Sequence, residues 1–148
     1  MDKLVEGVKL QQVYDSEAVT SAGTLYNATA GGVTGQAIDT QDYEEIMIMV
    51  NAGLVAGDGT LDVTLVNYAT DDSSSAVAVT DAAMDQLKST RKSDVYVAQI
   101  LADRCLRYVW VKTVKGGTGS TPFGIVVALK PKRKPVTQPN TPDFDLDV

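Results

Sequence analysis

The sequence predicts an all-β protein: a single antiparallel β-sandwich of jelly-roll type with an extended Pro-rich C-terminal tail. Three observations carry this. Apolar residues recur with a period of two, in short runs separated by Gly, Asn, Asp and Ser roughly every 8–12 residues. A 3.6-residue apolar period is almost absent. All five prolines fall at or after Pro122, and Pro131, Pro135, Pro139 and Pro142 lie beyond the last apolar run, at a spacing no central strand tolerates.

In chain order, residues 1–12 (MDKLVEGVKLQQ) form an N-terminal arm or an edge strand, and residues 13–129 the sandwich. Val13–Ala30 is rich in Thr, Ser, Val and Tyr and gives one or two short strands. Within it Asn27-Ala-Thr29 matches a glycosylation sequon, read here as coincidence because no secretory signal precedes it. Gly31, Gly32 and Gly35 mark a turn. In the strand ending at Val50, Ile46, Ile48 and Val50 share one face, and Met47 and Met49 share the other. Both faces are apolar, so this strand is central or lies at an interface. Leu61, Val63 and Leu65 alternate with Asp62 and Thr64, a strand with one wet face, expected to pair with the preceding one as a hairpin.

Asp71-Asp72 and Asp58–Asp62 lack the alternating oxygens and closing Glu of a calcium loop and read as solvated turns. Ala76–Val79 is a short strand, and Asp81–Lys88 one or two helical turns with Asp81 as N-cap. Val95–Leu101 is a strand, and Asp103-Arg104 a turn. The strongest stretch, Arg104–Leu129, reads as two central strands joined by the loop Lys115–Pro122. Tyr108 and Trp110 share a face of the first, with Leu106 and Val114, and Phe123, Ile125, Val127 and Leu129 share a face of the second. That loop has glycines but not the G-x-x-x-x-G-K-[ST] order, so a hairpin loop is expected rather than a phosphate cradle.

At 148 residues the chain makes one domain of ordinary size, and at 44% hydrophobic residues it can build a core without disulfides or metal. Cys105 is the single cysteine, expected as a small buried core residue of a strand. A net charge of −6 opposes general nucleic-acid binding. The absence of histidine removes the commonest general base and metal ligand, and with it Ser-His, Cys-His and His-metal chemistry. No catalytic, cofactor-binding or metal-binding residue is expected. The pairs Asp39/Asp42 and Glu44/Glu45 read as surface charge beside a strand, leaving a carboxylate-only hydrolase as the weakest alternative. Met1–Glu6 has no apolar leader and no run approaches a membrane span, so a protein made and used without export is expected.

The tail, residues 130–148, segregates its charge: Lys130, Lys132, Arg133 and Lys134 at its start, Asp143, Asp145 and Asp147 near its end. The basic run suits an acidic partner surface. Phe144 and Leu146, alternating with the aspartates, suit addition to another sheet edge.

IDTQDYEEIMIMVNAG (38–53), LDVTLVNYATDDSSS (61–75) and LRYVWVKTVKGGTGSTPFGIVVAL (106–129) together resemble capsid cement, or decoration, proteins of tailed bacteriophages, over roughly Ile38 to Leu129. The Pro-rich tail departs from that pattern. The resemblance implies a non-enzymatic protein made in the bacterial host cytoplasm and used in the virion. It would bind the outer surface of the head as a homotrimer and clamp neighbouring major capsid subunits, with no nucleic-acid or membrane partner. Met47, Met49, Tyr108 and Trp110 are then candidates for burial between subunits, and Lys130, Lys132, Arg133, Lys134, Phe144 and Leu146 for partner binding. The alternative is a carbohydrate- or receptor-binding sandwich of a phage tail or fibre, which needs an exposed aromatic platform at Trp110.

Overall fold

The computed structural model describes residues 8–19, 23–27, 36–89 and 94–132. Among these residues ten strands form two antiparallel sheets: β1 (Lys9–Val19), β2 (Gly23–Tyr26), β3 (Ile38–Asp39), β4 (Tyr43–Ala52), β5 (Thr60–Tyr68), β6 (Val77–Ala83), β7 (Leu87–Lys88), β8 (Asp94–Leu101), β9 (Tyr108–Gly116) and β10 (Thr121–Pro131). One sheet has the order β1-β10-β4-β8. The other has the order β2-β9-β5-β6, with β3 also on β9 and β7 also on β5.

Setting aside the two-residue strands β3 and β7, the pairing is nested: β1 with β10, β2 with β9, β4 with β8, β5 with β6. A long antiparallel ribbon whose ends meet and whose middle is the β5–β6 turn has been rolled into two layers, the jelly-roll topology. The turn at the middle is pinned by Asp72. Its carboxylate accepts from the Ser74 N–H at 3.0 Å and the Ser74 hydroxyl at 2.7 Å, capping a 3-10 turn over Ser73–Ser75.

Rolling the ribbon overturns both expected hairpins. β4 and β5 are in different sheets, and so are β9 and β10. Each of these strands has one largely apolar row. A hairpin would set two such rows side by side in one layer with nothing facing them. Sending consecutive strands to opposite layers makes the rows face each other across the core. Ile46, Val50, Ile125 and Val127 on one side and Leu61, Leu65, Val109 and Val111 on the other are all fully buried.

Other expectations also change. Asp81–Lys88 is not helical: it is the end of β6, a short connection and β7. Asp81 sits at φ +59° inside a register shift of β6 against β5, so its tolerance of left-handed backbone serves a bulge, not a cap. β9 begins at Tyr108. Leu106 precedes it and is 46% exposed, and Cys105 closes a 3-10 turn over Ala102–Arg104 instead of lying in a strand. Strand β1 starts at Lys9 and lies at a sheet edge, the edge-strand alternative for the end of the 1–12 stretch, whereas β10 continues past the expected boundary through Lys130 and Pro131, opposite Glu45 and Tyr43. A bulge precedes Pro131, which lets the strand end on a proline.

Candidate functional site

Because side chains alternate, the strands that fill the core with one row present the other row outward. On the β1-β10-β4-β8 sheet that outward row is mainly apolar, interrupted by Gln12, Asn51 and Gln99. The register sets Leu10, Ala128, Met47 and Gln99 across the sheet, then Gln12, Val126, Met49 and Val97, then Gly124, Asn51 and Val95. Val95, Val97, Leu101 and Leu10 are 51–59% exposed, and Met47, Met49 and Val126 are half-buried. The other sheet differs. Its outward positions mix Thr24, Asp62, Thr64 and Lys112 with Val66, Tyr68, Trp110 and Val114, and the Lys112 ammonium lies 5.9 Å from the Tyr26 ring. A partly exposed, mainly apolar sheet face of this kind is a candidate contact surface.

Met47 and Met49 lie at the middle of this face. Val95, Val97, Leu101 and Leu10 were not singled out from the sequence. The signal was present: Val95, Val97 and Leu101 alternate with Tyr96, Ala98 and Ile100, two apolar rows of one strand, as at Met47 and Met49. Trp110 and Tyr108 are not on it. Trp110 is 1% exposed on the outward side of the opposite sheet, opposite Val66, so it has no surface to give a neighbouring subunit or a sugar. Tyr108 is half-buried there, with the Arg107 guanidinium 5.1 Å from its ring.

Lys130 closes the apolar face at one end. Its ammonium contacts Glu44 at 2.7 Å and Glu45 at 2.8 Å, and the two carboxylates push its pKa well above the usual lysine range. Lys130 thus pairs with two carboxylates of its own chain while half of its side chain stays exposed. The Lys132 ammonium donates to the Gln41 carbonyl at 2.8 Å, and the Lys132 N–H to Asp42 O at 2.8 Å, fastening the chain where it leaves the sheet. Arg133, Lys134, Phe144 and Leu146 lie outside the described residues.

Beside this exit the segments 38–40 and 106–108 meet. Ile38-Asp39 pairs with β9, the Arg107 guanidinium donates to both Asp39 oxygens (2.7 Å at the shortest), and the Thr40 N–H and hydroxyl both donate to Arg107 O. The ion pair, with the Gln41 N–H, holds the Asp39 carboxyl below its ordinary range. Thr40, Tyr43, Glu44, Ala102, Cys105 and Arg107 are among the residues lining a shallow groove of about 680 Å³ here. Burial pushes the Cys105 thiol pKa up, which leaves it protonated and poorly nucleophilic. Of the acids weighed in the sequence, Asp39 pairs with Arg107, and Glu44 and Glu45 both pair with Lys130. Among the described residues no group of His, Cys, Asp or Glu is arranged to hold a metal ion.

Asp58 also has a structural task. Its Oδ1 accepts from the Thr118 N–H, the Thr118 hydroxyl and the Gly119 N–H at 2.9–3.0 Å, tying the β4–β5 crossover to the β9–β10 crossover. These bonds lower its pKa below the ordinary 3.8. A lowered carboxyl pKa contributes stability that is present above 3.8 and lost as pH falls below it. Asp58→Asn is therefore expected to flatten part of the acid limb of an unfolding-versus-pH curve while leaving neutral-pH stability less affected than Asp58→Ala. An unchanged acid limb would show that Asp58 does not bind more weakly to protons in the folded chain.

Two buried asparagines complete backbone pairing. Asn67 donates to Val77 O at 3.0 Å and accepts from the Leu106 N–H at 2.6 Å. Asn27, 3% exposed, donates through its side-chain amide to Gln36 O at 2.8 Å and accepts from the Val111 N–H at 2.7 Å. A sequon asparagine whose amide nitrogen is buried and in use cannot carry a glycan in this fold.

No family model matches the chain, and no curated protein matches it. Solved structures do match in fold. Over 82% of this chain and 31% of the other, it is similar at TM-score 0.53 and 13% identity to a chain in the structure of infectious bursal disease virus, Gx strain. A chain of the T13 particle of the same virus gives TM-score 0.52 at 14% identity over 84% of this chain, and one of its VP2 subviral particle 0.51 at 15% over 82%. The chain spans about a third of the length of those it matches. At these identities the likeness shows the fold alone.

Proposed function

We propose that this chain is a non-enzymatic structural protein of a virion, a cement protein that binds the outer surface of a tailed-phage head and stabilises contacts between major capsid subunits. The observation that carries this is the apolar outer face of one sheet on a jelly roll whose own core is already filled. A face of this kind gains free energy only by being covered. Weak apolar contacts become tight when an oligomer, proposed as a homotrimer, engages several shell subunits at once. The fold likeness to chains of viral particles and the resemblance of residues 38–129 to decoration proteins support the same reading. The sugar-binding alternative needed an exposed Trp110, and its burial removes that support.

The test is rebinding. Particles stripped of this chain should take up recombinant protein saturably, at a fixed simple ratio to the major shell subunit, on co-sedimentation. Met47→Lys/Met49→Lys should fold but lose at least tenfold in particle affinity, because two ammonium groups would have to be desolvated in the contact. Failure to rebind, or only a handful of copies per particle, would move the protein away from the shell.

A further inference from the structure

Strands β10 and β4 are neighbours at the middle of the four-stranded sheet, and their outward rows differ in kind. β10 presents Gly124, Val126, Ala128 and Lys130. Directly opposite, β4 presents Asn51, Met49, Met47 and Glu45. The first row is low and ends in a cation. The second has long side chains and ends in an acid. Both ends are reachable from outside, with the Lys130 side chain 50% and the Glu45 side chain 25% exposed.

Two such rows side by side make a surface that complements itself. A two-fold axis parallel to the strands, between β10 and β4, lays each row of one copy over the other row of a second copy. Met47 then stands over the partner's Ala128, and Met49 over the partner's Val126, so flexible thioether chains fill a channel of small residues. Glu45 stands over the partner's Lys130. Lys130 already holds its own Glu45 at 2.8 Å, so that end of the pair becomes a square of alternating charge. Aligned sheets cross at about 30°, which shifts the row ends by about one strand, and Lys and Glu are long enough to meet across that shift. At the flanks Leu10 meets Gln99 and Gln12 meets Val97, a half-polar rim around the apolar middle. An axis across the strands fits worse, because it sets Lys130 over Gly124 and Glu45 over Asn51.

The size of the face bounds the strength of the contact. It is about 19 Å wide across its strands and about 20 Å long from Gly124 to Lys130, or about 400 Å² in each copy. A standard interface takes ~800 Å² from each partner, so this one gives a weak pair that forms with concentration.

We propose that two copies of the chain pair through this face as an isologous dimer about an axis parallel to β4 and β10. Met47 and Met49 of each seat on Ala128 and Val126 of the other, and Glu45 of each meets Lys130 of the other. The pairing goes beyond the capsid reading and stands without it. The face serves one partner at a time, so a dimer has to open before the same face meets a shell.

The experiment is sedimentation velocity on the full-length protein across micromolar to submillimolar concentrations, with far-UV circular dichroism to check folding. The intact chain should pass from monomer to dimer. Lys130→Glu and Glu45→Lys each gather like charges at one end of the pair, and each variant alone should dimerise at least tenfold more weakly. An equimolar mixture of the two should dimerise again, because the acids of one copy then face the lysines of the other. If either variant unfolds, Ala128→Met and Met47→Ala make the same test by size: alone, one clashes and the other leaves a gap, and the mixture restores the fit. An intact chain that stays monomeric, dimers that survive the single variants, or a mixture that does not recover would each overturn the proposal. Particle rebinding by a chain that stays monomeric would sink the dimer and leave the capsid reading standing. Dimers that complement on mixing but never rebind particles would uphold the pairing and sink the capsid reading alone.

Discussion

Ile125→Ala is expected to cost the isolated protein about 2–5 kcal/mol, the range for emptying a buried Ile-sized site. Ile125 is fully buried at the centre of β10, between β1 and β4, opposite Tyr14 and Val50. Both neighbouring strands are held by backbone pairing, so the cavity cannot easily collapse. Against a total stability of about 5–15 kcal/mol this is a large fraction, and at ~2–4 °C per kcal/mol the Tm should fall by roughly 4–20 °C. Met49→Lys, on the adjacent strand but the opposite face, is expected to change stability by no more than about 0.5 kcal/mol. Denaturant titration separates the two. Comparable losses would mean that the Met49 face is already covered within the chain, and the case for it as a contact surface would fail.

The contrast between these two residues shows what alternation in a sequence can and cannot reveal. Alternation assigns Ile46, Ile48 and Val50 to one row and Met47 and Met49 to the other, and the structure keeps that assignment. It does not say which sheet a strand joins. β4–β5 and β9–β10 look like hairpins because they are adjacent in sequence, yet neither connection has the two-residue Asn-Gly or Asp-Gly loop that a tight hairpin uses. Instead each runs through several residues rich in glycine, room enough to change layers. Trp110 shows a related limit. It is 1% exposed in an outward row whose Tyr108, Lys112 and Val114 are only half-buried, and period-two reasoning cannot tell an inter-sheet core from a residue covered on the outside of a sheet. The meeting of Asp39 with Arg107 across 68 positions was legible only as two separate motifs, because long-range pairing leaves no local periodicity.

Gly119→Ala is expected to be at least as damaging as many core truncations, by a different route. The two crossovers lie against each other: Ala56 N–H donates to Ser120 O at 2.9 Å and Gly53 N–H to Pro122 O at 2.8 Å. A Cβ on Gly119 would lie 1.7 Å from Ala56 O and 2.8 Å from Gly59 N, both backbone atoms that cannot swing aside. Relief requires the loops to part. That costs about 1–3 kcal/mol in overpacking and about 1 kcal/mol for each crossover hydrogen bond lost. Gly57→Ala meets nothing nearer than 3.7 Å and suffers only its left-handed φ of +59°, costing about 1–2 kcal/mol. Gly23→Ala, with nothing within 4 Å, should be close to silent. The expected order of destabilisation in denaturant titration is thus Gly119, then Gly57, then Gly23. Hydrogen exchange should show Ala56 and Gly53 losing protection in Gly119→Ala before the strand centres do. If Gly119→Ala were as mild as Gly23→Ala, the crossovers would not be packed together. The layer changes from β4 to β5 and from β9 to β10, on which the apolar outer face depends, would then have to be redrawn.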